Sequence, residues 1–377
     1  MNRTLARPKT PRGVVDSTFR VGSVEELGTD PETVRAFIRA SWNRETVMGL
    51  QPFYDWQFRS PPEGEGKDHC LVVADDEGGV HGFMGVNVHT FNLHGRRLRG
   101  ATLTTWVHAE EARGSYAVEV LKTLQRTYDV MFGSGISQDA FPVYAQLGFR
   151  FIAHLPRYVR VFQLPQVLLF SRIKPFGRRL INMQGALPRV AHQAQRANAS
   201  ELLEIVQEMH QRYNCFGRQP ESLRWRYERH PFFRYDIFRV KCQAGRGAVI
   251  LRLDEKPGCT FVHVLDVLGS REVLPALIGF VEAYCQEIGA AFADFSCASI
   301  QVAHLFWSRY WYSVLDDTHT QVPHLFHPVE FREPPTTSVT LWCRDNLGEL
   351  LDLSHLYFTK GDCDLDLPTL DFIRGGT

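Results

Sequence analysis

Thr104-Thr105-Trp106-Val107-His108-Ala109-Glu110-Glu111-Ala112-Arg113-Gly114-Ser115-Tyr116-Ala117-Val118-Glu119-Val120-Leu121 is the stretch that decides how this chain is read. Its opening residues are strand-like, Arg113-Gly114 makes a turn, and Ser115 to Thr127 follows with Val118, Leu121, Leu124 and Gln125 at helical intervals. A helix entered from such a turn offers free backbone N–H groups and the positive end of its dipole to an anion, a pyrophosphate for example. Small residues there let the backbone approach the ligand closely.

Working outward, Leu71-Val72-Val73-Ala74, a turn at Asp76-Glu77-Gly78-Gly79 and Val80 to Val86 read as strand, turn, strand. Arg99 to Val107 is a third strand, and Val24 to Ala40 is helical by its spacing. Beyond the central helix, Val130 to Gly133 is a short strand and Asp139 to Leu147 a helix closed by Gly148. Phe149 to Phe162 reads as a closing strand pair broken at Leu155-Pro156. Helices packed on a mixed sheet in this order make an α+β unit.

The unit is written twice. After a basic connector come a helix at 200–212, strands at 236–241, 247–253 and 259–267, a helix at 274–288, a strand at 291–295 and a helix at 300–308. Tyr54-Asp55-Trp56-Gln57-Phe58 matches Arg224-Trp225-Arg226-Tyr227, and Val143 to Phe149 matches Leu305 to Trp311. The organisation expected is a leader at 1–17, a first unit at 18–162, a linker at 163–196, a second unit at 197–335 and a C-terminal segment at 336–377. At 377 residues, two domains are also what length predicts.

Lys plus Arg and Asp plus Glu are both 42, so no bulk charge draws the chain to nucleic acid. The eight cysteines include no CxxC pair and the 15 histidines no HExxH, so no metal is expected. No apolar run approaches the ~20 residues of a membrane span, and no apolar stretch follows Arg3, Arg7, Lys9 and Arg12. A soluble, cytoplasmic protein is expected; oligomeric state is left open.

The Thr104–Leu121 stretch resembles the acyl-CoA motif of the GNAT acyltransferases. The resemblance implies that Trp106, Val107, Arg113, Gly114, Ser115, Tyr116 and Ala117 hold the cofactor. Tyr116 and Val118 stand where the family's later glycines usually do, which implies a narrower anion pocket or more reliance on Arg113 and the Ser115 hydroxyl. Gly135 to Phe149 resembles the family's closing "N…A…Y..LGF" phrase, which makes Tyr144 the acid that protonates the departing thiolate. A phenol of pKa ~10 suits a thiolate of similar basicity. Asp139 and His108 are the candidate bases.

Leu155-Pro156-Arg157-Tyr158-Val159, Leu223 to Pro231 and Thr359 to Pro368 resemble phrases of tandem-GNAT sugar N-acyltransferases. Those enzymes acylate the amine of a nucleotide-linked amino deoxysugar for surface glycans. Acyl-CoA and a nucleotide amino sugar are therefore the implied substrates. Leu365 and Leu367 depart from the phrase, where a Gln and an Arg are expected. Trp225, Tyr227 and His230 are read either as stacking groups for the substrate or as core. Lys360, Asp362, Asp364 and Asp366 are read as substrate-binding; a calcium-type loop and a solvated tail are the other readings. Phe306 replaces the Tyr in the second unit, which also lacks an Arg/Gly turn after Asp266 to Gly269, so that unit is expected to shape the acceptor pocket. A Fem-type aminoacyl transferase, disfavoured by the neutral charge, and a non-catalytic acyl-CoA-binding protein are the alternatives.

Overall fold

A computed structural model describes residues 19–42, 46–182, 190–256, 258–314, 319–324, 331, 336–345, 347–363 and 365–375. The expected leader at 1–17 and Asp364 lie outside them. In chain order, β1 (Arg20–Ser23), β2 (Leu71–Ala74), β3 (Val80–Leu93), β4 (Arg96–His108), β5 (Val130–Ser134) and β6 (Arg150–Ile152) come first. Then follow β7 (Arg157–Val161), β8 (Gln193–Arg196), β9 (Asp236–Cys242), β10 (Gly245–Lys256), β11 (Cys259–Leu268), β12 (Phe292–Ser296), β13 (Tyr312–Ser313) and β14 (Val339–Cys343). The helices used below are α1 (Pro31–Ser41), α2 (Ser115–Thr127), α3 (Phe141–Gln146), α4 (Leu203–His210), α5 (Leu274–Glu287) and α6 (Ile300–Ser308).

The first sheet runs β1-β2-β3-β4-β5-β14-β6 and the second β8-β9-β10-β11-β12-β7-β13. Each is antiparallel except at its centre, where β4 pairs with β5 and β11 with β12 in parallel. Along these seven-strand paths the sheets follow one plan, with a short extra strand, Cys215–Phe216, on β3 of the first, so the chain is α+β with two tandem units. The match extends to backbone detail. In both units the helix at α3 or α6 ends on a left-handed residue, Gly148 at φ 83° or Tyr310 at φ 60°. In both, the next N–H closes back on the aromatic residue, Phe149 to Tyr144 and Trp311 to Phe306, at 3.1 Å each.

One expectation is corrected here. Phe149 to Phe162 does not close the first sheet as a strand pair: β6 stays in it, but β7 crosses to the second sheet between β12 and β13. In return β14, from the C-terminal segment, enters the first sheet between β5 and β6. The units exchange strands. Chemistry explains where β7 goes: Arg157 is fully buried, and its Nε donates to Asp294 Oδ2 at 2.8 Å and its Nη2 to the Pro323 carbonyl at 2.6 Å. A guanidinium is accommodated in a core only with such partners.

The helix expected from Val24 to Ala40 is split by Gly28, in left-handed conformation, into a turn at Val24–Leu27 and α1. The α2 helix buries Ala117, Val120, Leu121 and Leu124 on the first sheet, and α5 is buried along most of its length on the second. This packing holds the N-terminus of α2 against the end of β4.

Candidate active site

The β3–β4 register runs Met84↔Trp106 and then Val86↔Leu103, so Gly85 alone faces Thr104 and Thr105. This is a β-bulge. Gly85 is required there, since a Cβ would lie 2.1 Å from Thr104 Oγ1 and 2.8 Å from the Phe58 ring. On its other edge β4 pairs with β5 only from Gly100↔Val130 to Leu103↔Gly133. At the bulge the two strands part. Beyond it, the β5-side edge of β4 has no strand partner among the described residues, and its backbone groups are open to a ligand.

A cavity of about 690 Å³ fills the opening. At one end Arg113, Gly114 and Ala117 form its wall. Gly114 has φ 83° and ψ −105° and caps α2 without a side chain; the first helical bond runs from Val118 N–H to Gly114 O. The N–H groups of residues 115–117 are thus the free donors of the helix end. Tyr116 does not project into this end of the cavity. Its ring turns away onto Phe19, 5.3 Å between centroids, and its hydroxyl accepts the Phe19 N–H at 3.4 Å. Neither Tyr116 nor Ser115 lies on the cavity wall, whereas Trp106 and Val107 do.

Tyr144, His108 and Asp139 meet on the same cavity. The α3 helix, begun at Pro142 in its first turn, carries Tyr144 inward until 1% of it is exposed, edge-on to Trp106 at 5.2 Å and to Phe149 at 4.9 Å. Asp139 is exposed at the rim, in the turn before α3. His108, the last residue of β4, is lowered to about 4 by burial and by the Arg113 charge, so its ring is neutral at physiological pH. Neither ring nitrogen, nor the Trp106 indole N–H, nor the Thr104 hydroxyl, has a hydrogen-bond partner among the described residues. Unpaired buried polar atoms on one cavity mark a place that a polar ligand or water completes.

The residues expected to bind the acceptor are elsewhere. Trp225, Tyr227, Asp362 and Asp366 line a separate space of about 60 Å³ between the two sheets. Lys360 is fully buried, its Nζ 2.6 and 2.7 Å from the Asp294 oxygens and 2.8 Å from His263 Nδ1, and burial pushes it down to about 8. Asp362 accepts from Arg218 Nη2 at 2.6 Å; Asp366 sits 2.8 Å from Arg252 Nη1. His230 Nδ1 accepts the N–H groups of Phe232 and Phe233 at 3.2 and 2.9 Å, so it caps a turn in an aromatic cluster. These side chains lie buried at the junction between the units, held by protein partners.

Asp362 ends a 3-10 turn, Lys360–Asp362, rather than lying in an extended segment, yet it and Asp366 both face this junction. The opposite face carries Leu365 and Leu367, which wall the large cavity together with Pro368 and Thr369. Trp42, Thr46, Val47 and Met48 also line it, with no motif to announce them.

The second unit has the same opening, and its own chain fills it. Leu265 makes the bulge, since Leu251 faces Val264 and Ile250 faces Asp266, and β11 parts from β12 after Val264↔Phe295. Residues 357–363 lie in the gap. The Tyr357 hydroxyl accepts the Val267 N–H at 3.0 Å, Phe358 O accepts the Ala298 N–H at 2.9 Å, and Thr359 bridges to Cys297.

No sequence-family profile matches the chain, and no curated protein matches it in sequence. Solved structures do match. A GCN5-related N-acetyltransferase from Anabaena variabilis aligns at TM-score 0.55 and 10% identity, over 89% of this chain and 75% of its own. One from Kribbella flavida aligns at 0.50 and 17%, over 88% and 72%. A conserved protein of unknown function from Enterococcus faecalis aligns at 0.53 and 14%, over 86% and 72%. The fold is the GNAT fold. Within it, the opening between β4 and β5 and the N-terminus of α2 stand free in the first unit. Among the described residues no His/Cys/Asp/Glu group is arranged to hold a metal, and no helix is long and apolar enough to cross a membrane.

Proposed function

We propose that this chain is an acyl-CoA-dependent N-acyltransferase whose chemistry takes place in the first-unit cavity. The observation that carries the reading is the meeting, on one cavity, of an uncapped helix N-terminus, an unpaired strand edge beyond a bulge, and Tyr144. The CoA pyrophosphate binds the amides of residues 115–117 with Arg113 alongside. The pantetheine arm then runs back along β4 from His108 toward Thr104, using its free edge as a strand would.

The thioester carbonyl lies at the bulge, where β4 amides stabilise the oxyanion of the tetrahedral intermediate. A neutral amine attacks the carbonyl carbon; the N–C bond forms, the C–S bond breaks, and the electron pair leaves on sulfur. The proton lost by nitrogen goes to bulk water by way of Asp139 at the exposed rim. Tyr144 gives a proton to the thiolate and regains one from solvent, so the products are an amide and CoA thiol. His108 is neutral and serves as a hydrogen-bond partner at the reacting end of the cavity.

On this reading residues 18–162 bind the cofactor, while 197–335 and the segment from 336 onward complete the site. The acceptor implied by the sequence resemblance, a nucleotide-linked amino deoxysugar, is the first class to test. What supports it is the resemblance of the phrase from Thr359 to Pro368, of which Leu365, Leu367 and Pro368 line the cavity. The experiment is thiol release from acyl-CoA with a panel of nucleotide amino sugars and simple amines. Amine-dependent release is expected; release that no amine accelerates would sink the transferase reading.

A further inference from the structure

The large cavity has two unlike ends. The Arg113 end is cationic and rich in free amides, whereas farther along the wall apolar side chains stand among the hydroxyls of Thr104, Thr105 and Ser137. There Met48 contacts Thr105 of β4, and across the opening a Leu365 methyl lies 3.5 Å from the Cβ position of Gly135, just past β5. Val47, Leu367 and Pro368 continue this surface.

This wall is fixed from behind. Leu365 and Leu367 alternate with Asp366, and Asp366 and Asp362 are held by the buried guanidinium groups of Arg252 and Arg218. Lys360, sealed on Asp294, anchors the segment one turn earlier. A surface tied to the protein by buried ion pairs does not yield to a poor fit, so its shape and polarity act as a filter on what the cavity admits.

The order of groups along the ligand says what meets this wall. Pantetheine, thioester and acyl chain are collinear, so an arm that enters at Arg113 and places its carbonyl at the bulge carries the acyl carbons onward, away from α2. The amine must instead approach across the carbonyl plane, from the open rim at Asp139. We infer that Met48, Leu365 and Leu367 form an acyl-binding wall that selects an apolar acyl group longer than acetyl. The inference rests on the acyl-transfer reading above and deepens it.

Calorimetric titration of the full chain with CoA and with acetyl-, butyryl-, hexanoyl- and octanoyl-CoA tests it. Affinity is expected to rise roughly threefold to fourfold per buried methylene until the wall is reached. Leu365→Arg should flatten that rise and Leu365→Met should retain it, with thermal unfolding of both variants showing that they are folded. If Leu365→Arg fails to fold, Leu367→Ala provides the second arm, and the preferred length should increase. Tightest binding of acetyl-CoA, or a length dependence identical in wild type and these variants, would overturn the inference while leaving the transferase reading in place. Absence of any binding by CoA and its esters would overturn both.

Discussion

Trp56 and Trp225 exchange hydrogen bonds: each indole N–H donates to the other's backbone carbonyl, at 2.9 and 2.7 Å, and the rings stack 5.2 Å apart at 19°. Each sits in a π-helical turn, Asp55–Arg59 or Arg224–Glu228, that follows a four-residue helix with Pro in its first turn. The pair marks the local two-fold axis of the tandem repeat and joins the units at that axis. Removing one indole N–H leaves a buried carbonyl unpaired. Trp56→Phe and Trp225→Phe are each expected to cost about 1–3 kcal/mol, read from denaturant unfolding. Costs within ~0.5 kcal/mol, the usual range for surface changes, would mean the exchange is not a structural joint.

Tyr144 and Phe306 occupy equivalent places, on helices that end in the same backbone closure. Phe306 is fully buried among Phe295 and Trp311, so the fold is satisfied there without a hydroxyl. Tyr144→Phe should therefore leave thermal stability and CoA affinity nearly as they are and lower turnover by roughly 10²–10⁴-fold. Undiminished turnover would remove the proton-transfer role; a large loss of stability would make the hydroxyl structural.

Arg113 is exposed at the mouth, beside the free amides of α2. Arg113→Ala should weaken CoA binding by about 1–3 kcal/mol, with a smaller effect on a pantetheine fragment that lacks the phosphates. An equal loss for both ligands would place the phosphates elsewhere.

Four histidines whose surroundings disfavour the charged ring make the protein sensitive to acid. Burial lowers His108 and His210 to about 4, His89 to about 3 and His230 to about 2, each from an ordinary value of 6.5. Below pH 6.5 the unfolded chain takes up protons that the folded chain refuses, so stability is full above that pH and is lost progressively as pH falls toward 4 and below. Urea midpoints should drop between pH 7 and pH 5. The drop should be smaller in His108→Gln, which has no imidazole to titrate; an equal drop in both would contradict the burial assigned to His108.

What the sequence disclosed was local. Arg113-Gly114 and the helix behind it are contiguous, and Tyr144 to Phe149 closes within one turn, so both were readable from neighbours alone. The tryptophan pair was readable as a repeat because both copies keep the same residue. The strand exchange was not. Whether β7 pairs in the first sheet or the second depends on Asp294, far along the chain, which is what receives the buried Arg157. The burial of Lys360, Asp362 and Asp366 was hidden for the same reason: charged residues are exposed unless partnered, and their partners Asp294, Arg218 and Arg252 lie in distant segments. The bulge was hidden as well, because one extra residue in β4 leaves no mark on strand composition.

The central claim is that one of two homologous openings takes acyl-CoA while the other is filled by the chain's own residues 357–363. Titration with a non-reactive acyl-CoA analogue, followed by a structure of the complex, tests this most directly. The account predicts one ligand per chain, with the pyrophosphate on the amides of residues 115–117 and the acyl carbonyl at the bulge beside Thr104 and Thr105. A ligand seated between β11 and β12 with Tyr357 displaced, or two ligands per chain, would contradict it.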